Sequence, residues 1–299
     1  MILATQSILL GEAEIVVAGG MESMSTAPYY IRRARWGQRL GHGELEDGIL
    51  ADGLICPITF VHMGVTAENI AQKYQISREE QDRFALESQQ KAMAALKGSK
   101  FHAEIVPVPI PQPKGEPILF AQDEHPRKTS LEKLARLQPA FKEGGTITAG
   151  NASGINDGAS TVVVTSMKKA EKLGLKPLAI IKAWASAGVD PAFTGMGPVP
   201  ACQKALKKAG LKPEDIDLYE VHEAFAAQIL GVLREFPVPP EKLNVHGGGI
   251  ALGHPIGASG ARVLTTLLYA LHQYDGRYGL ATGCIGGGQG IAMVVERLV

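Results

Sequence analysis

Cysteine is scarce in this chain of 299 residues, which has three, and aromatic residues make up only 6% of it. Three thiols cannot form a disulfide framework, so the composition fits a reducing compartment, the cytoplasm, and each thiol has to be explained singly. Net charge is absent as well, because 30 Lys plus Arg cancel 30 Asp plus Glu. Nucleic acid or an anionic membrane needs a basic excess on one face, so neither is expected and a small molecule is. No apolar run reaches the roughly 18 residues of a spanning helix; the segment 263–271 stops at Arg262 and His272. Met1 leads straight into Ile2 and Leu3 without the basic start of a signal peptide. A disordered tail is excluded by 45% hydrophobic and 20% charged residues.

Glycine is in excess, at 35 residues, about 12% against a usual ~7%. Six lie in residues 244–260 and five in 282–290. Such clusters mark backbone conformations closed to other residues, or a ligand approaching the main chain.

The first dozen residues (Ile2, Leu3, Ile8, Leu9, Leu10) predict an apolar helix stopped at Gly11, with residue 2 already core. AEIVVA (13–18) predicts a buried interior strand. Residues 25–154 are more polar and predict helices rather than sheet: Ser77 and Glu80 form a capping-box pattern opening a long helix to about Gly98. Prolines 107, 109, 111 and 113 predict an extended surface segment. From Gly158 an α/β rhythm resumes. Strands are expected over 158–167, 178–186 and 216–221, helices over 168–173, 201–209, 223–233 and 263–271, and a closing strand pair over 278–283 and 290–295. SGINDGASTVVV (153–164) and IGGGQGIAMVVE (285–296) suggest a duplicated unit interrupted by an insertion.

Four segments can carry chemistry. In residues 244–264, His254 sits on a Gly-framed GHP turn before a helix N-terminus, where it can act as base, as oxyanion donor, or as a loop His satisfied by backbone. In GCIGGGQG (283–290), Cys284 can be a base, a nucleophile or a buried hydrophobe, and Gly286 to Gly288 can donate N–H groups to an oxyanion. His222 opens VHEAFAAQ at the C-terminal end of a strand, where α/β sheets place ligands, although a His beside Glu223 at a helix start is more often a cap. GNASGINDGAS (150–160) can line a polar ligand or be only a turn.

Together these segments resemble the thiolases, which transfer acyl groups between coenzyme A thioesters by Claisen condensation or its reversal. VAGGMESMS (17–25), HMGVTAENIA (62–71), LARLQPAF (134–141), TAGNASGINDGA (148–159), HEAFAAQ, GGGIALGHPIGASGAR and CIGGGQG stand in thiolase order and spacing. The resemblance implies an α/β thiolase fold: duplicated βαβαβαββ halves layered αβαβα, with an inserted loop subdomain and the first half incomplete. It divides the chain into 1–24, completed by 155–175, then the insertion 25–154 for coenzyme A and oligomer contacts, and a C-terminal half 176–299.

By the same resemblance His254 activates a thiol and helps form an oxyanion hole, Cys284 exchanges the α-proton, Gly286 gives a backbone donor, and His222 orients a water where many thiolases have Asn. Ser153 and Met63 fall at the pantetheine and acyl contacts. Phe225, Phe141 and Ala224 belong to the substrate wall. Acetyl-CoA or another acyl-CoA is the implied substrate, with no further cofactor and no metal. Residues 34–50 look like the loop that ties tetramers, implying a homodimer or homotetramer.

The acyl-carrying Cys of the family, in a CGSGL-type motif, lies upstream of the segment matching residues 4–20. This chain has none there, and Cys56 and Cys202 match no nucleophile position. The expectation is an N-terminally shortened thiolase, lacking roughly a quarter of the usual length and inactive in condensation. The alternative is a non-catalytic acyl-CoA-binding or assembly subunit. A β-ketoacyl synthase shares the chemistry but has a second His or an Asn where this chain has Cys284.

Overall fold

The computed structural model describes residues 1–298. In chain order the elements are α1 (Ile2–Leu9), β1 (Ile15–Glu22), β2 (Tyr29–Tyr30), β3 (Glu46–Asp47), α2 (Met63–Lys73), α3 (Arg78–Lys97), β4 (Val108–Ile110) and β5 (Ile118–Phe120). There follow α4 (Leu131–Ala135), β6 (Gly158–Thr165), α5 (Met167–Lys172), β7 (Ala179–Gly188), α6 (Pro198–Ala209) and β8 (Leu218–Val221). The last are α7 (Ala226–Glu235), α8 (Gly249–Leu252), α9 (Ile256–Gln273), β9 (Tyr278–Ile285) and β10 (Gln289–Arg297).

Two sheets sandwich α9. On one side β1 and β6 pair antiparallel, Ile15 opposite Thr165 and Glu22 opposite Gly158. On the other lies a four-stranded sheet in the order β7-β10-β9-β8, with only β8 and β9 parallel. Helix α9 packs on β1 and β6 with one face and on β8 and β9 with another. Such a helix must be apolar on two sides, and Ala258, Ala261, Val263, Leu264, Leu267, Ala270 and Leu271 are all buried. Helix α6 covers the far face of the larger sheet. There Ala201, Cys202, Ala205 and Leu206 join Ile216, Leu280 and Val294 in the main core.

Strands β6 and β10 each pair antiparallel with a strand that directly follows a helix, β1 after α1 and β9 after α9, as the internal repeat implies. The layering follows the thiolase expectation, and the first sheet is the smaller one.

Three expectations are corrected. The strand over 13–18 is not an interior one: β1 alternates exposed and half-buried positions, and Val17 is 70% exposed. Its sheet has two strands, and α1 and α9 both lie against it while Val17, Met21 and Val163 remain uncovered. Residue 2 is core only in part: Ile2 is half-buried against the cluster around Val263 and Leu271, whereas of the first helix only Ala4 is fully buried and Leu3 is 81% exposed. The helix expected from Glu223 begins at Ala226 instead. Residues 222–225 stay outside the helix, where the buried Glu223 carboxylate is held by Ser88, Asn244 and the Ile250 amide, and Phe225 bridges to Ala152.

The segment 25–154 holds α2 to α4 together with two small hairpins, β2–β3 and β4–β5, the latter on the proline-rich stretch. The capping box is present: Ser77 Oγ accepts from the Glu80 amide at 3.1 Å, and Glu80 Oε2 accepts from the Ser77 amide at 2.9 Å.

Candidate active site

A cavity of about 960 Å³ opens where α9, the ends of β8 to β10, the 148–155 turn and α2 meet. Its wall includes His254, Cys284, His222, Gly286, Ser153, Met63, Phe225, Phe141 and Ala224. Residues drawn from sequence segments spread over more than 200 positions therefore share one space.

His254 is placed by the turn ahead of α9. Gly253 has φ +95, and a Cβ there would lie 2.3 Å from Asn156 Oδ1, so only glycine fits. Asn156 Oδ1 accepts from the His254 amide at 3.2 Å, tying the turn to the 148–159 segment. The ring is fixed by Ser259, whose Oγ lies 2.6 Å from His254 Nδ1. Ser259 spends its own proton on the Pro255 carbonyl at 2.9 Å. Its oxygen is thus the acceptor, His254 carries its proton on Nδ1, and Nε2 presents a lone pair. Burial, then the charge of Arg262, push His254 down to about 4, so it is neutral at pH 7.

The His222 ring lies 4.1 Å from that of His254, centroid to centroid, tilted by 50°. It is 4% exposed, and neither ring nitrogen has a hydrogen-bond partner. Burial first, then His254 and Arg262, hold it well below the usual imidazole range. A cap or surface pair with Glu223 is thereby ruled out. An unpartnered neutral imidazole in a cavity wall suits a ligand or water in the cavity.

Cys284 stands near the end of β9, opposite Gly290, before the hairpin turn to β10. Burial pushes its thiol up to about 11, so it is protonated at pH 7 and, once ionised, a stronger base than an ordinary thiolate. The turn is held by Gly288, with φ +85: its carbonyl accepts from the Val189 amide at 2.7 Å, and a Cβ would lie 2.4 Å from Val189 O. Gly286 has open space around its α-carbon, leaving its backbone reachable.

The apolar wall comes from the 134–141 and 221–228 segments. Phe141 stacks on His62 at 4.6 Å and meets Phe225 edge-on at 5.8 Å. His62 caps α2, its Nδ1 accepting from the Gly64 amide at 2.9 Å. The Ser153 amide donates to Ala224 O at 2.9 Å, joining the two segments at the cavity.

The other cysteines lie elsewhere. Cys202 is 1% exposed in the core, and burial pushes its thiol up to about 12. Cys56 lies outside the cavity wall; burial raises its thiol, but the Thr59 side chain and the amides of Thr59, Ile58 and Gly287 outweigh that and hold it lower than usual.

Several contributors are not singled out by sequence reasoning: Asn156, Ser259, His62, Arg262, and the wall residues His125 and Arg127. The proximity of Ser259 to the GHP turn, five residues on, is the one local signal for them; the others come together only through folding.

Two stacked sheets around one helix, with a thiol and two neutral imidazoles converging on the cavity beside it, define a duplicated α/β protein equipped for thiol and acyl chemistry. Residues 1–168 match the thiolase N-terminal domain and residues 175–297 the thiolase C-terminal domain. The chain is 57% identical over 297 residues to an acetyl-CoA acetyltransferase of Thiocystis violacea, covering 99% of this chain and 75% of that protein. The crystal structure of the Bacillus anthracis acetyl-CoA acetyltransferase superposes with a TM-score of 0.96 at 47% identity, over 99% of this chain and 75% of that one. Human mitochondrial 3-ketoacyl-CoA thiolase in complex with CoA gives a TM-score of 0.95 at 45% identity, over 100% and 74%. The chain belongs to the thiolase family. Similarity running over nearly all of this chain does not itself support the expected N-terminal shortening, and these relatives, named as enzymes, lend nothing to the non-catalytic alternative.

Proposed function

We propose that this protein works on coenzyme A thioesters, making and breaking carbon–carbon bonds by Claisen condensation of acetyl-CoA or thiolysis of 3-ketoacyl-CoA. The observation that carries this is the convergence of Cys284 with the neutral His254 and His222 on one cavity. In this reading Cys284 gives its proton to His254 Nε2. The thiolate then takes a proton from the α-carbon of the thioester, and the electron pair moves onto the carbonyl oxygen. His222, the His254 imidazolium and the Gly286 amide supply donors to that oxygen; each such donor is worth about 3 kcal/mol of barrier. The α-carbon attacks an acyl thioester and expels its thiolate.

Ser153 and Met63 contact the pantetheine and acyl ends, Phe225, Phe141 and Ala224 bound the acyl group, and Arg127 gives the wall a cation. No group besides the thioester is required. The division into 1–24 with 155–175, 25–154 and 176–299 belongs to the same proposal, as do a homodimer or homotetramer and a cytoplasmic setting. The exposed Trp36 and Leu40, 84% and 98%, support an oligomer contact in 34–50.

Within these 299 residues no acyl-carrying thiol is assigned, because Cys202 is core, Cys56 lies outside the cavity wall and Cys284 is the base. Exchange of the acetyl α-proton is the step of this reading that needs no acyl-carrying thiol, so it isolates the base. The test is proton NMR of acetyl-CoA in D2O: the wild-type chain washes out the methyl signal and Cys284→Ala does not. Equal exchange by a folded Cys284→Ala would refute the base assignment.

A further inference from the structure

Arg262 stands one helical turn beyond Ser259 on α9, and residues three apart on a helix share a face. Its Nη1 donates to Glu220 Oε1 of β8 at 2.7 Å. Ser259 holds the His254 ring, while Glu220 precedes His222 by two residues, which places both side chains on one side of the strand. A single ion pair thus joins the helix that orients one imidazole to the strand that carries the other. A second acid lies in the same cluster: Glu104 Oε1 accepts from Thr266 Oγ1 of α9 at 3.2 Å. Glu104 Oε2 and Arg262 Nη2 are both buried and have no hydrogen-bond partner.

The charged and titratable groups around the guanidinium are Glu220, Glu104, Asp123, Glu223, His222 and His254. Burial raises Glu104 and Glu220 to about 7 each, against the pull of Arg262. A buried ion pair is a weak source of stability, since desolvation offsets the attraction, so stability alone does not account for such a cluster beneath two imidazoles.

We propose that Arg262 is a positioning residue of this site: gripped by Glu220 and facing Glu104, it sets the spacing of the His222 and His254 rings, and its charge opposes a positive charge on either ring. The kinetic consequence rests on the acyl-transfer reading; the electrostatic one does not. The test is an NMR titration of the full chain with isotope-labelled histidine, alongside the pH profile of acetyl α-proton exchange. In wild type His254 stays neutral down to about pH 4. Removing a neighbouring like charge in Arg262→Met moves its midpoint up by about one unit, and the acid limb of exchange with it. Burial keeps the midpoint under the ordinary imidazole value. Arg262→Lys, which retains the charge, leaves the midpoint near wild type, and Glu104→Gln, which removes only an acid, never raises it.

A folded Arg262→Met whose His254 titrates as in wild type overturns the proposal. If Arg262→Met does not fold, a raised His254 midpoint in Arg262→Lys or Glu104→Gln overturns it equally. A shifted titration in a protein without any exchange activity supports the positioning role and counts against the acyl-transfer reading instead.

Discussion

Replacing Ser259 by alanine tests how His254 is prepared. In wild type the Ser259 oxygen accepts from Nδ1 at 2.6 Å, which fixes both the tautomer and the ring. A hydrogen bond from a neutral ring N–H is worth about 1 kcal/mol, and one from an imidazolium about 2 kcal/mol. The difference, ~1 kcal/mol, is what Ser259 contributes to the proton affinity of Nε2. Its loss therefore moves His254 down by roughly 0.7 of a pKa unit and slows any step in which His254 accepts a proton about fivefold. The assay is deuterium exchange into acetyl-CoA, with nitrogen NMR shifts of His254 reporting the tautomer. Folding is checked separately, because two hydrogen bonds are lost and a stability cost of about 1 to 2 kcal/mol is expected. A folded Ser259→Ala chain that exchanges within twofold of wild type, with the tautomer unchanged, refutes the reasoning.

Other outcomes are as definite. Gly288→Ala places a Cβ 2.4 Å from a backbone carbonyl at φ +85 and should lower unfolding free energy by roughly 2 kcal/mol or more, read from urea denaturation. Ser77→Ala removes half of the capping box of α3 and should cost about 1 kcal/mol in the same experiment. His222, His246 and His254 all have pKa values lowered by burial, so the unfolded chain takes up protons that the folded one refuses as pH falls below about 6.5. Stability should drop from pH 6.5 towards 4. The raised Glu104 and Glu220 oppose this, since they bind protons in the folded state first. Glu104→Gln should therefore steepen the acid loss, as followed by urea midpoints.

Local signals in the chain were strong wherever a side-chain pattern decides structure. The capping box at Ser77 and Glu80, the stop at Gly11 and the alternation from Gly158 onward depend on neighbours in sequence, and the elements form there. The expectations that failed concerned environment. Leu3 and Val17 look like core because they are apolar, but whether a face is covered depends on what packs against it, and β1 has only β6 beside it and helices on one side. Glu223 reads as a helix opener, yet Ser88 and Asn244, more than 20 residues away on either side, capture its carboxylate and delay the helix. The site was legible through its glycines: Gly253 and Gly288 stand where no side chain fits. Asn156 and Arg262 act through contacts that carry no mark of their own in the sequence, and Ser259 is marked only by its nearness to the GHP turn.

A crystal structure of this chain with acetyl-CoA bound tests the central claim most directly. The account predicts the thioester in the cavity, its carbonyl oxygen about 3 Å from a ring nitrogen of His222 or His254 and its methyl carbon against Cys284 Sγ. Acetyl-CoA bound elsewhere, or bound in the cavity with its methyl group away from Cys284, would contradict it.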